Sequence, residues 1–224
     1  MKAIIYLLFT SLISIDIIGQ TYVGSVSGGA SISTFDYGSQ VNGLSDFDNS
    51  RKAGINAGLN ISVDTGSDVV TFMPGLFFQQ NGSKEFYTDF NQAINDFSVN
   101  RSVNLDYVGM VFPLEFQLIN EDYTGFMASV SGFVDYAVSG SIDDDFSSSS
   151  EIEFNSVGDR IDAGFQLNFS YVFAPGVALQ IGYSKGIKNI EFAEAAGYST
   201  TDSEGDYLIN NNGLTLKFLY LVAE

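Results

Sequence analysis

From Ile161 to Phe173 every second residue is apolar: Ile161, Ala163, Phe165, Leu167, Phe169, Tyr171 and Phe173. Between them stand Asp162, Gly164, Gln166, Asn168, Ser170 and Val172. After Ala174-Pro175-Gly176 the alternation resumes, with Val177, Leu179, Ile181 and Tyr183 set against Ala178, Gln180, Gly182 and Ser184. Successive side chains of a strand point to opposite faces, so a period of two over this length predicts two strands. The Pro-Gly between them predicts a hairpin turn. Alternating segments recur eight times, over approximately Thr21–Ser33, Lys52–Val63, Asp68–Gln80, Asn104–Ile119, Tyr123–Ser139, Arg160–Phe173, Gly176–Gly186 and Gly213–Val222. In each, one face is large, apolar and often aromatic, and the other is mostly small and polar with little charge. The third and fourth are less clean, since both of their faces carry Phe or Met.

The connections alternate too. Asp64–Ser67, Asn120–Asp122 and Ala174-Pro175 are short, whereas Thr34–Arg51, Asn81–Val103, Gly140–Asp159 and Ile187–Asn212 are long. In an up-and-down antiparallel arrangement all short connections fall at one end, with both termini, and all long ones at the other. Short turns on one side and long loops on the other is the layout of outer-membrane barrels. Four long structureless loops fit a compact soluble domain poorly.

Which face meets water decides the class. Eight strands with several Leu, Ile, Val, Phe or Tyr each would overfill the interior of a soluble barrel. The same barrel would show water a Gly, Ser, Asn and Gln surface nearly free of Lys and Glu, where soluble sheets carry charge. Turned the other way, the apolar face meets lipid, the small polar face fills a narrow lumen, and closure satisfies every backbone group. The predicted fold is therefore all-β: an eight-stranded antiparallel up-and-down transmembrane β-barrel with short periplasmic turns and long extracellular loops. On the apolar parity, Tyr22, Phe126, Tyr171, Phe173 and Tyr220 fall near one end and Tyr136 and Tyr183 near the other, as interfacial girdles require. Tyr107 is the exception, with the parity of the inner face.

Composition narrows the function. The chain has 224 residues, no Cys, no His and a formal net charge of −18. Without Cys there is neither a disulfide nor a thiolate nucleophile, and without His neither a Ser-His pair nor a His-built zinc site. The acidity disfavours nucleic acid, whose phosphates are bound by Lys and Arg. Lys2, the apolar run Ala3–Ile15 and Gly19 before Gln20 read as a secretory signal over 1–19, too short for a spanning helix of ~20 residues, with the barrel domain over 20–224.

Several short motifs resemble the PorT-like family of small outer-membrane β-barrel proteins. Tyr107 with Pro113-Leu114 in the fourth segment is similar to the family's tyrosine-then-Pro-Leu strand. Asp162-Ala163-Gly164 resembles its Asp-x-Gly strand start. Tyr183–Ile190 resembles its Tyr-x-x-Gly-Leu-x-Asn-Ile strand ending, and Ala57-Gly58-Leu59 also fits. The resemblance implies an eight-stranded barrel integral to the outer membrane of a Gram-negative cell, with loops at the cell surface. It names no single activity, although PorT itself is associated with secretion and gliding. The chain departs from the pattern at its end: Leu219–Glu224 does not finish on an aromatic residue, and Tyr220 is the candidate for that assembly signal.

The candidate sites are few. Glu115, Asp135, Asp162 and Lys217 lie on the inner parity and form the expected polar network of the lumen, with Lys217 expected to pair with one acid and Arg160 to cap another near the outer mouth. Such a network either rigidifies the barrel or carries protons or cations. Asp143, Asp144, Asp145, Glu151 and Glu153 form the densest acidic run and are the weak candidates for metal, but their spacing matches no calcium loop. No catalytic residue and no cofactor are predicted beyond loosely bound divalent cations, and the chain is not expected to be an enzyme. The expected partners are outer-membrane lipid, the barrel-assembly machinery during insertion, and an envelope or surface protein. The expected role is structural or surface-interacting. The alternatives are an accessory subunit of a secretion, gliding or envelope-assembly machine, and a narrow pore or small-ligand binder.

Overall fold

The computed structural model describes residues 24–36, 45–63, 65–67, 70–89, 97–118, 125–145, 149–152, 154, 156–174, 176–188 and 210–222. The predicted signal at 1–19 and the acids of 191–206 lie outside them. The strands are β1 (Gly24–Asp36), β2 (Ser45–Ile61), β3 (Val70–Phe72), β4 (Gly75–Asp89), β5 (Phe97–Gln117), β6 (Gly125–Asp144), β7 (Ser150–Glu151), β8 (Ile161–Ala174), β9 (Val177–Gly186) and β10 (Asn210–Val222). All pairings are antiparallel, and β10 returns to β1, closing the sheet into a barrel. The barrel has eight staves, because β3 and β4 are one stave and β7 only adds two residues to the edge of β6. The break between β3 and β4 has a chemical cause. Met73-Pro74 lies opposite Phe112-Pro113, and two prolines without N–H groups leave gaps in the ladder. The bonds that remain possible are made: Met73 N–H donates to the Pro113 carbonyl and Ile61 N–H to that of Pro74, both at 3.0 Å.

Cα partners can be followed once round the barrel. The path runs from Ser25 to Asn60, Gly75, Val111, Phe133, Gly164 and Gly186, crosses to the neighbouring Asn211, and meets β1 again at Phe35. The stagger is ten residues, from 25 to 35. With ~3.3 Å per residue along a strand and ~4.8 Å between strands, that stagger tilts eight strands by about 40°.

The period-two reading of the faces holds. Phe165, Leu167, Phe169, Tyr171 and Phe173 of β8 point outward, while Gln166, Asn168 and Ser170 are buried inside. Phe169, Phe218, Tyr220, Ile55 and Ile181 each expose more than half of their surface. On β5 the outward apolar residues run from Val108 to Leu118, a rise that at ~3.3 Å per residue and ~40° tilt makes a belt roughly 25 Å tall. At the lower edge, where β1 begins and β10 ends, Phe126 and Tyr171 pack ring to ring at 4.7 Å. Phe173 and Tyr220 stand outward at the same end, whereas Tyr22 lies outside the described residues. At the upper edge Tyr183 is exposed, but Tyr136 is only half-exposed, beneath the Arg160 guanidinium at 5.8 Å.

The strand ends differ from expectation. β2 begins seven residues before Lys52, β4 runs nine beyond Gln80, β5 begins seven before Asn104 and β6 runs five beyond Ser139. The apolar alternation measures the height of the belt, not the length of the ladder. Above the belt the outward positions become Lys52, Gln80, Ser102, Asn104, Asp106 and Ser139, and backbone pairing continues because it needs no apolar face. A β-bulge at Asp106/Tyr107 against Ala137–Ser139 marks the transition. Below it the odd residues of β6 point inward; above it Ile142 does.

Glycine sets how tightly the barrel closes. A Cβ on Gly29, inside β1, would stand 2.0 Å from the Leu216 carbonyl oxygen and 2.7 Å from the Lys217 Cα. Gly28 beside it points outward with nothing within 4 Å. Gly29→Val is therefore expected to cost more than about 3 kcal/mol, or to abolish folding, in urea titrations of detergent-refolded protein, while Gly28→Ala stays within about 0.5 kcal/mol of wild type. Equal tolerance at both positions would contradict this closure geometry.

Candidate functional site

The lumen is built in three layers. The upper layer has an apolar cluster: Phe35, Val103, Leu105, Tyr107, Ala137, Ile142 and Ile152 are buried together, with Phe154 against them, beside the buried Ser83, Glu85 and Arg101. The lower layer has a smaller apolar cluster of Val172, Ala178 and Leu219 with Met127 and Leu221, while Ser25 and Ser62 are buried at the same end. Between them lies a polar layer of amides and hydroxyls. Asn168 donates to Ser129 at 3.0 Å, Gln180 to Ser170 at 3.1 Å, and Gln79 to Asn81 at 2.5 Å. This layer encloses a cavity of about 40 Å³ lined by Gln79, Glu115, Asp135, Asn168, Gln180 and Lys217, among others, with space for a few waters. The inner face is thus less polar than the sequence pattern suggested. The signal was present in the off-parity ring of Tyr107, with Val103 and Leu105 on the same inward parity above it.

The four predicted lumen residues all point inward but do not form one network. Asp135 and Asp162 are direct cross-strand partners on β6 and β8, exposed 4% and 0%. Glu115 lies lower on β5, opposite Thr71 and Ser129. Lys217, on β10, shares the central cavity with Glu115. Among the described residues no ion pair joins Lys217 to any of the three acids. Arg160 does not cap an acid either. Its guanidinium stacks over Phe154 at 4.6 Å and reaches the Ala137 carbonyl at 3.3 Å, because the apolar lid offers it aromatic faces there.

A second region was not singled out from sequence. On β4, β5 and β6 above the belt, the outer wall is a chain of polar contacts. Gln80 and Ser139 donate to the two carboxylate oxygens of Asp106 at 3.0 and 2.7 Å. Asn104 bridges Ser141 and Asp143, both at 3.2 Å, and Lys52 donates to Ser102 at 2.5 Å. Beside it an open cleft of about 460 Å³ is lined by Asp48, Ser50, Lys84, Phe86, Asn100, Arg101, Asp143 and Asp145 among others. The strand extensions that build it fall where the sequence pattern predicted loops.

Among the described residues the acidic run does not converge on a metal site. Asp143 is engaged by Asn104, and Asp145 accepts from Asn100 at 2.7 Å. Glu151 is exposed on β7, while Glu153 and the side chain of Asp144 lie outside the described residues. Among the described residues no group of three or more metal-ligating side chains gathers.

No protein-family model matches the sequence, and no curated protein matches it. Several solved structures are similar in shape. Neisserial surface protein A aligns over 89% of this chain and 96% of its own, with 10% identity and a TM-score of 0.42. Ail, the attachment invasion locus protein of Yersinia pestis, solved with the heparin analogue sucrose octasulfate, aligns over 90% and 99%, with 9% identity and a TM-score of 0.44. The outer membrane protein OprG of Pseudomonas aeruginosa aligns over 93% and 100%, with 12% identity and a TM-score of 0.43.

An ammonium enclosed among amides, with no carboxylate in ion-pair contact among the described residues, costs more than it contributes. Lys217→Met is expected to raise the stability of the refolded barrel by about 1 kcal/mol, read as the shift of its urea midpoint. A loss of that size would show that Lys217 is held by an attractive partner.

Proposed function

We propose that the protein is an integral outer-membrane barrel whose function is a surface interaction made by its raised upper rim, with no catalytic step. One contrast carries the reading: the lumen is filled by its own side chains around a cavity of only about 40 Å³, while β2, β4, β5 and β6 rise past the apolar belt and display a polar wall and an open cleft. The belt is of the height that a bilayer-spanning barrel presents to lipid. The rim then stands outside, on the side of the longer connections. The cleft carries Lys84 and Arg101 among four carboxylates and one half-exposed phenyl ring, a surface suited to a polar, mixed-charge partner.

A second reading, an accessory subunit of a secretion, gliding or envelope-assembly machine, is supported by the PorT-like motifs. Two of the motif residues lie within the barrel wall and describe architecture: Tyr107 is buried in the upper layer and Pro113 sits at the ladder gap. A photo-reactive side chain placed at Asn100, in the cleft, is expected to crosslink one discrete surface component in intact membranes; capture of envelope-machine components instead would favour the second reading. In planar bilayers the purified protein is expected to give no stable single-channel steps. A persistent open conductance would contradict the filled lumen and favour a pore.

A further inference from the structure

The buried acids Asp135 and Asp162 face each other across β6 and β8, where like charges in direct register repel. Asp135 Oδ1 and both carboxylate oxygens of Asp162 have no protein hydrogen-bond donor. The Ala163 N–H and the Asn211 side-chain N–H approach Asp162, and the Asp162 N–H approaches Asp135, but these contacts leave Asp135 Oδ1 and both Asp162 oxygens without a partner at full hydrogen-bond distance and angle. Lys188 attracts Asp162, but its ammonium is committed to the Gly158 and Ile161 carbonyls at 2.7 and 2.8 Å. Two further oxygens complete the cluster. The hydroxyl of the fully buried Tyr107 lies within electrostatic reach of both carboxylates and has no partner, and Asn211 Oδ1, on a residue 4% exposed, has none either.

The backbone makes room for this group. A Cβ on Gly186 would stand 2.9 and 3.1 Å from the two Asp162 oxygens, and one on Gly109 would stand 2.5 Å from the Asp135 Cβ. Buried polar atoms are satisfied in folded proteins, and buried charge is compensated. We propose that Asp135, Asp162, Tyr107 and Asn211 form an internal site for one hard cation, Ca²⁺, held between the upper apolar layer and the polar middle of the lumen. Three carboxylate oxygens without a donor, the phenolic oxygen and Asn211 Oδ1, once that amide turns over, supply five oxygens, and one water brings the set to about six, the lower end of the Ca²⁺ range. A donor set of oxygen alone disfavours softer metals, and Mg²⁺ keeps several waters that this enclosed site would have to house. The ion would offset the repulsion between the acids and tie β5, β6, β8 and β10 together.

The test is to refold the chain in detergent with millimolar Ca²⁺, strip loosely held ions on a chelating resin, and count retained metal. The wild type is expected to keep about one Ca²⁺ per chain, and Asp162→Asn and Asp135→Asn to keep less than about a tenth of that, while still showing the heat-dependent gel shift of a folded barrel. Tb³⁺ in place of Ca²⁺ is expected to luminesce on tyrosine excitation in a chain that has no Trp. Tyr107→Phe, which keeps both carboxylates and the fold, should lose most of that emission. Retention that is equal in wild type and Asp162→Asn would overturn the site. So would no retention in the wild type, with identical stability in Ca²⁺ and in chelator, which would leave a proton shared between the two acids as their compensation.

Discussion

The hydrogen-bonded seam between β1 and β10 is the contact on which everything else depends. It pairs the chain from Gly24↔Val222 to Asp36↔Asn210 without a register shift. Without it, β1 and β10 would be open edges, each a row of unpaired N–H and C=O groups, which hydrocarbon does not tolerate. Once it is made, every stave has two neighbours and the two faces acquire fixed meanings. The stagger of ten residues then sets tilt and girth, and girth sets what fits inside. Gly29 at the seam, facing the Lys217 backbone, shows how close that fit is.

Face assignment was legible in the sequence because it rests on a period of two, and Phe169 against Asn168 is enough to read it. Strand ends were not legible. Lys52, Gln80, Asp106 and Ser139 end the apolar pattern but not the ladder, since backbone hydrogen bonds are indifferent to what the outward side chain is. The Asp106/Tyr107 bulge was also invisible, because a single unpaired residue leaves the local alternation looking merely imperfect. The inner-face positions of Glu115, Asp135, Asp162 and Lys217 could be named from parity. Their partners could not, because partnership depends on stagger, which places Asp135 against Asp162 and leaves Lys217 among amides. The upper apolar layer draws on Phe35, Val103, Ile142 and Ile152 from four separate stretches, and no local window contains it.

The division of the barrel follows from these constraints. A lumen of this girth is filled by its own side chains, and here an apolar cluster near each end stands among buried hydroxyls, amides and acids. Variation useful for recognition is left to the part that stands clear of the belt, where β2, β4, β5 and β6 run past it and Lys84, Asn100, Asp143 and Asp145 meet. The polar middle faces a different demand. Buried carboxylates must be reconciled there with an interior packed by side chains, and the paired acids are where that requirement is most acute.

The central claim is that the outward apolar belt faces lipid. The chain has no cysteine, so single spin labels can be placed along β8 at Phe165, Leu167, Phe169 and Tyr171 in protein reconstituted into vesicles. Relaxation by oxygen, which concentrates in the acyl chains, and by a water-soluble nickel complex then reports depth. The account predicts high oxygen and low nickel access at Leu167 and Phe169, with nickel access rising towards Phe165 and Tyr171. Nickel access that is equally high at all four positions would contradict it.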